Sequence, residues 1–361
     1  MPGTTIDAPK GRGNLIVSSS FYYRLPKQAT LCQEIPTTSV RTGLGMTPES
    51  IGFIEFDSCD KQSLTGYIMK KKIIYALGYF DGVHLGHRAL LSACRDLARE
   101  QKCQCGAVTF SPHPQQLLAG DRVGLINTDE DREEMLLYYV NTVRWLAFTE
   151  SLMTMAWQDF LAMLVEKHGA AGFVCGTDFR FGKGGQGTAV LLQQFCREHS
   201  LSCCLVEQQT MDGVRVSSTH IRMLLEKGNI RDANRFLGHP HMLTGTVQSG
   251  KQLGRTVGIP TANLAYPEEL LHLPYGVYAC KVQAKGKTYP AVTNIGVRPT
   301  VSGEGVTVES HLLDFSGDLY GKTIEIFFCD FIRPEQKFSD LAQLKVQIEK
   351  DIIQTKKILA E

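Results

Sequence analysis

Nowhere does the 361-residue chain carry an apolar run near the roughly 18–20 residues that a bilayer span needs. The N-terminus lacks the apolar core of a secretory leader, so the expectation is a cytoplasmic protein. Excess charge is also missing. The 38 Lys and Arg oppose 37 Asp and Glu, a formal charge of +1 that gives no electrostatic case for a nucleic-acid or membrane partner. No DNA-binding helix pattern or basic patch stands out. Of the 11 cysteines, Cys103 and Cys105 are separated by one residue, and Cys203 and Cys204 are adjacent; neither spacing is a paired zinc motif. An odd count in a large chain argues against a disulfide framework. Cys105, Cys175, Cys203 and Cys280 lie in apolar runs and read as small buried hydrophobes. Repeats and low-complexity tracts are absent, and no obligate protein partner is implied.

What remains is a globular composition, 43% apolar and 21% charged, long enough for two ordinary domains. Residues 1–68 are weakly periodic, with GRG, SSS and TTS clusters. The run Met69-Lys70-Lys71-Lys72 followed at once by IIYALG looks like a natural start. The segment before it is expected to be disordered or to precede the true start. The expected domains are 69–238 and 239–361, joined near GHPHML.

In the first of these, IIYALG (73–78), GAVTF (106–110), WLAF (145–148), GFVCG (172–176) and CCLVE (203–207) read as buried strands. Helical patterns separate them. Leu90, Leu91, Cys94, Leu97 and Ala98 make one apolar face, and helices are expected over 129–140, 157–169 and 188–199. Such alternation predicts a Rossmann-like parallel sheet covered on both faces, with ligands at the carboxyl ends of its strands. Beyond residue 243 the texture changes to short strands between Gly-rich turns: 245–250, 278–284, 287–296, 306–315 and 322–332. These predict a small antiparallel β-barrel. A closing amphipathic helix over 338–359 is expected to pack Leu341, Leu344, Ile348, Ile352 and Ile353 against it.

The stretch LGYFDGVHLGHR (77–88) joins the first strand to the first helix. Gly78 and Gly82 permit turns barred to bulkier residues and allow a ligand to come close. Helix formation near Gly86 leaves free N–H groups and a positive dipole end facing the crevice. His84 and His87, three apart, project around that first turn. The arrangement suits an anion such as a triphosphate. Taken alone, the pair reads more readily as two surface histidines near a turn, and a metal pair lacks a third ligand of suggestive spacing.

GYFDGVHLGH resembles the nucleotidyltransferase signature of bacterial bifunctional riboflavin kinase/FAD synthetases. The resemblance continues in order through TFSPHP (109–114), GTDFRFGKGGQG (176–187) and VSSTHIR (216–222). It implies transfer of AMP from ATP to the phosphate of FMN, giving FAD and pyrophosphate. His84 and His87 would hold the ATP phosphates and offset charge on the α-phosphoryl group. Ser217, Ser218, Thr219 and Arg222 would grip the triphosphate from the other side. Asp178 and Arg180 would organise the nucleotide and the flavin phosphate. Asp178 could equally be a turn cap. Phe179 and Phe181 read as packing residues, and His220 stands where the family often has arginine.

GTVQSGKQLGRTVGIPTANL (245–264) reads as a strand, a flexible loop and a Pro-Thr-Ala-Asn turn. Gly250 and Gly254 allow backbone amides to approach phosphates. Thr261 and Asn263 set a hydroxyl beside an amide oxygen, hard donors of the kind a Mg²⁺–ATP complex accepts. The loop is not a Walker A sequence, and a plain β-hairpin with an ST-turn is the alternative. GRTVGIPTANL, YGVYAC, TNIGVRPTV, VESHLLDF, LYGK and FIRPEQKF resemble the riboflavin kinase domain of the same family. That resemblance implies that Glu309 takes the proton from the riboflavin 5′-hydroxyl. The expected activity is therefore two-step: riboflavin plus ATP gives FMN, then FMN plus ATP gives FAD. A kinase whose first domain has drifted to another acceptor, or a flavin-binding regulator, are the rival readings.

Overall fold

Buried strands and amphipathic helices alternate in the computed structural model, which describes residues 72–119, 123–249, 258–300 and 303–360. The first half runs β1 (Ile73–Leu77), α1 (Leu85–Glu100), β2 (Gln104–Ser111), α2 (Pro114–Ala119), α3 (Asp129–Leu137), β3 (Thr142–Ala147), α4 (Glu150–Met153), α5 (Trp157–His168) and β4 (Ala170–Gly176). The hairpin β5 (Arg180–Phe181) and β6 (Gly187–Thr188) follows, then α6 (Ala189–Glu198), β7 (Ser202–Val206), β8 (Thr210–Met211) and β9 (Val214–Arg215). Two helices, α7 (Ser218–Glu226) and α8 (Ile230–Leu237), end this half.

Strands β3-β2-β1-β4-β7 form one parallel sheet in that order. Every residue of β1 is buried, as a strand covered on both faces must be. Its two faces feed two clusters, one around Tyr75, Phe173 and Leu192, the other around Ile74, Leu91 and Val174. The chain leaves β1 toward β2 on one side and returns to β4 on the other. This reversal opens a crevice beyond the carboxyl ends of β1 and β4, the usual ligand position in such sheets.

The second half runs β10 (His241–Thr246), β11 (Ala262–Ala265), β12 (Gly276–Ala284), β13 (Lys287–Thr300), β14 (Gly303–Leu312), β15 (Thr323–Pro334) and α9 (Leu341–Ala360). The six strands pair antiparallel in the order β10-β15-β12-β13-β14-β11. A bridge between Gln248 and Asn263 ties the two edges and nearly closes the barrel. An α/β sheet, a small barrel and a terminal helix are the architecture anticipated above.

Four local expectations are corrected. Strand β10 starts at His241 rather than at Gly245, because His241, Met242 and Leu243 are buried opposite β15. The junction segment is thus already barrel. Asn263 lies in edge strand β11 rather than in a turn. Leu313–Phe315 lie beyond the end of β14. On α9, the residues most deeply buried are Asp351 and Thr355, whereas Ile353 is 70% exposed and Leu341 56%. The side of the helix toward the barrel carries an ion pair: Arg333 of β15 meets the Asp351 carboxylate at 2.8 Å, with the two side chains 13% and 2% exposed.

Nor does the core break at the junction. Ile221 and Leu225 of α7, with Ile230, Phe236 and Leu237 of α8, share one buried cluster with Leu243, Tyr278, Val308 and Phe328 of the barrel. Asn234 of α8 clips the two together: its amide donates to the Phe328 carbonyl at 2.8 Å and accepts the His241 N–H at 2.7 Å. Residues 1–68 lie outside the described residues.

Candidate active sites

A cavity of about 420 Å³ occupies the crevice of the parallel sheet. Leu77 and Gly78 reach it from β1, Gly176 from β4 and Val206 from β7. Its walls bring together His84, His87, Asp178, Ser217, Ser218, Thr219 and Arg222 from positions up to 138 residues apart.

His84 is the N-cap of α1, with Nδ1 accepting the His87 N–H at 3.3 Å. An accepting Nδ1 leaves the proton of the neutral ring on Nε2. The His84 and His87 rings stack, with centroids 3.6 Å apart and an interplanar angle of 15°. Burial pushes His84 down to about 3, with His239 adding to the shift, and holds His87 well below the usual histidine range. Both rings are therefore neutral donors at pH 7.

Facing them is the start of α7. Ser217 is its N-cap, accepting from His220 N, so its first turn, like that of α1, presents backbone N–H groups to the cavity. The Ser218 hydroxyl donates to the Asp81 carbonyl at 2.9 Å, and Arg222 donates to the Asp81 carboxylate at 2.5 Å. Two helix N-termini and an arginine thus converge on a pair of imidazoles. Asp178 lines the same cavity and is ion-paired to Arg215, which lines it too.

Two expected members sit elsewhere. Gly82 is not part of the lining. At φ +82° its added Cβ would meet Ile126 and Leu237, both at 3.0 Å, so the position answers to turn geometry and packing. Arg180 is exposed on the β5–β6 hairpin, off the lining. Phe181 is buried in the core and Phe179 stacks on it at 5.6 Å, in keeping with packing roles.

Three lining residues escaped the sequence reading. Asp81 and His113 both lie inside quoted motif segments, and Arg215 stands two residues before Ser217. Asp81 is 1% exposed, and a buried carboxylate bracketed by glycine-rich turns is signalled by no periodicity.

The second cavity, about 600 Å³, lies between the barrel and α9. Thr261, Asn294, Glu309, His311 and Arg333 line it on the barrel side; Leu341, Leu344, Ile348 and Asp351 line it on the helix side. Along β14, Glu309 and His311 share one face while buried Val308 and Ser310 share the other. Glu309 is held in register with Asn263 on one side and Asn294 on the other. Asn263 is not itself in the lining; its amide nitrogen lies 3.2 Å from the Thr261 carbonyl and 3.5 Å from its hydroxyl. Gly250 and Gly254 lie outside the described residues.

Two family profiles match separate parts of the chain. A riboflavin kinase profile matches residues 237–359 and an FAD synthetase profile matches residues 68–220. Bifunctional riboflavin kinase/FMN adenylyltransferase from Escherichia coli K12 is 38% identical over 77% of this chain and 90% of that protein. The Bacillus subtilis protein of the same description is 35% identical over 78% of this chain and 90% of its own. A Streptococcus pneumoniae crystal structure described as a macrolide-efflux protein is 29% identical, with a TM-score of 0.71, over 79% of this chain and 94% of that one. Among the described residues here, no helix is long and apolar enough to cross a membrane. At this identity and coverage, the chain belongs to the family of bifunctional riboflavin kinase/FMN adenylyltransferases.

Proposed function

We propose that the two cavities divide the family's two reactions between them. The chain phosphorylates riboflavin with ATP to FMN and adenylylates FMN with a second ATP to FAD and pyrophosphate. We assign adenylylation to the crevice of the parallel sheet, lined mostly from the part matched as residues 68–220, and phosphorylation to the barrel cavity, lined from within residues 237–359.

In the crevice, a phosphate oxygen of FMN attacks the α-phosphorus of ATP, and pyrophosphate leaves with the electron pair of the broken P–O bond. The nucleophile is already anionic at neutral pH, so no general base is needed. Catalysis then rests on positioning and on donors aimed at the oxygens that gain charge. His84 supplies Nε2–H, His87 supplies its own ring, and the first turns of α1 and α7 supply backbone N–H groups. Ser217, Ser218, Thr219 and Arg222 hold the phosphates opposite the imidazoles. Asp178, paired with Arg215, shapes the nucleotide end. The observation that carries this reading is the convergence of the stacked His84–His87 pair and the α7 start on one cavity.

In the barrel, Glu309 takes the proton of the riboflavin 5′-hydroxyl as that oxygen attacks the γ-phosphorus of ATP, and ADP leaves. The apolar side chains of Leu344 and Ile348 suit a flat aromatic ring system. Thr261 and Asn263 are neighbours, with the Asn263 amide nitrogen 3.5 Å from the Thr261 hydroxyl, and as neutral hard donors their hydroxyl and amide oxygens would hold a magnesium ion. Bound there, the ion would neutralise phosphate charge. Asn263 is paired with Glu309 in the β11–β14 register, and Thr261 lines the same cavity as Glu309.

Incubating the full-length protein with riboflavin and Mg²⁺–ATP and separating the flavins chromatographically tests the reading. FMN followed by FAD is expected. FMN that never proceeds to FAD, or riboflavin left unchanged, would overturn it.

A further inference from the structure

Between β1 and α1 the backbone takes three consecutive-neighbourhood turns into the left-handed region: Phe80 at φ 63°, Gly82 at φ 82° and Val83 at φ 37°. Only the glycine adopts such a φ cheaply, and for a β-branched valine it is strained. Conformations of this kind persist where surrounding contacts over-determine them, and they cluster at functional sites. The residue at the centre of the strained run is Asp81.

Its contacts account for that persistence. One carboxylate oxygen accepts the Ile126 N–H at 2.9 Å and lies 3.4 Å from the Asn127 N–H. The other accepts from Arg222 at 2.5 Å, and the backbone carbonyl accepts the Ser218 hydroxyl at 2.9 Å. The next carbonyl, that of Gly82, lies 2.9 Å from His239 Nε2. Two of the groups tied to Asp81, Arg222 and Ser218, belong to the phosphate-gripping wall, and the loop itself ends at His84. Burial pushes the Asp81 carboxyl up, and the Arg222 guanidinium and the Ile126 N–H oppose that shift.

From this we infer that Asp81 is a positioning residue for adenylyl transfer, which fixes the distance between the imidazole wall on α1 and the arginine wall on α7. The inference rests on the reading that this cavity carries adenylylation. Asp81 is tied to the arginine wall through Arg222 and Ser218 and stands three residues before His84 on the loop that leads into α1, so it holds Arg222, which lines the cavity, at a set distance from the imidazoles. A triphosphate that straddles the two walls meets them already spaced for the transition state. The carboxylate performs no proton transfer, because the FMN phosphate needs no base.

The test is Asp81→Asn, which keeps an oxygen for the Ile126 N–H and removes the charge that holds Arg222. Adenylylation of FMN is expected to lose 30-fold or more in kcat, with the KM for ATP changing less than 5-fold. Riboflavin phosphorylation by the same molecules should be unchanged, which reports that the chain is folded. In an Arg222→Ala background, Asp81→Asn should cost less than 3-fold more, since the group it acts through is gone. A kcat for FAD formation within 3-fold of the unmutated protein would overturn the inference. So would full additivity of the two substitutions. If Arg222→Ala alone adenylylates FMN normally, the functional reading fails instead. Should Asp81→Asn lose both activities, Asp81→Glu takes its place. It retains the charge but shifts Arg222 by a methylene; the same kcat loss is expected, and unaltered kcat refutes the inference.

Discussion

Replacing Glu309 by Gln separates the chemistry of the barrel from its architecture. The residue lies on β14 in register with Asn263 and Asn294, so its backbone is held by ladders on both sides. Val308 and Ser310, its neighbours on the opposite face, are fully buried and keep the strand in place. Gln has nearly the same shape but is neutral and not a base, so the fold should shift by less than about 1 kcal/mol, as for a substitution that creates no cavity. A positioned general base is worth about 10²–10⁴-fold. At roughly 1.36 kcal/mol per tenfold, its loss raises the barrier by about 3–5 kcal/mol. The assay starts in parallel from riboflavin and from FMN, with products separated chromatographically. FMN formation should fall by at least 100-fold while FMN-to-FAD conversion stays within 2-fold. A variant that still makes FMN within 10-fold of the unmutated rate would refute the role of Glu309 as base. Loss of both activities at an unchanged Tm would refute the assignment of the two reactions to two cavities.

Other consequences can be measured directly. His84→Ala removes a helix cap and an Nε2–H donor together; FAD formation should drop by at least 100-fold, with riboflavin phosphorylation retained, and a normal FAD yield would return the histidines to a purely structural role. His241 is 1% exposed, its ring nitrogens have no hydrogen-bond partner, and burial pushes it down to about 3. A lowered folded value means that the unfolded chain takes up the proton first, so stability is complete above about pH 6.5 and is lost as pH falls toward 3. By pH 5 the loss from this one group reaches about 2 kcal/mol; His241→Phe should shrink the difference in denaturant stability between pH 7 and pH 5 by about that amount, and an identical pH dependence would count against it. Asp351→Ala strands Arg333 in a partly buried setting beside the barrel cavity. Chemical denaturation should show about 3–5 kcal/mol of lost stability, the usual cost of breaking a buried pair, along with a higher KM for riboflavin.

The layout of the protein was largely present in the order of its residues. Apolar runs at 73–77 and 172–176 became the central strands, and the 3.6-residue spacing of Leu91, Cys94 and Ala98 became the buried face of α1. These are local signals: a strand or helix shows its period within a few residues. The histidine pair and the serine-rich segment were also visible, because each is a short contiguous motif.

Tertiary structure decided what those motifs face. The tie between Asp81 and Arg222 spans 141 residues, and no spacing in the chain records it. The face of α9 shows the same limit. Apolar periodicity placed Leu341, Leu344 and Ile348 toward the barrel, where they line the cavity, but Ile353 is exposed, and the deepest positions on that face are the polar Asp351, paired with Arg333, and Thr355. Likewise, α7 and α8 continue the helical texture of the first half, yet their apolar sides are buried in the barrel's core. Periodicity reports that a side is apolar; only the packed chain selects which surface covers it. Charge pairing and burial depend on distances through space, and those come into being when the chain folds.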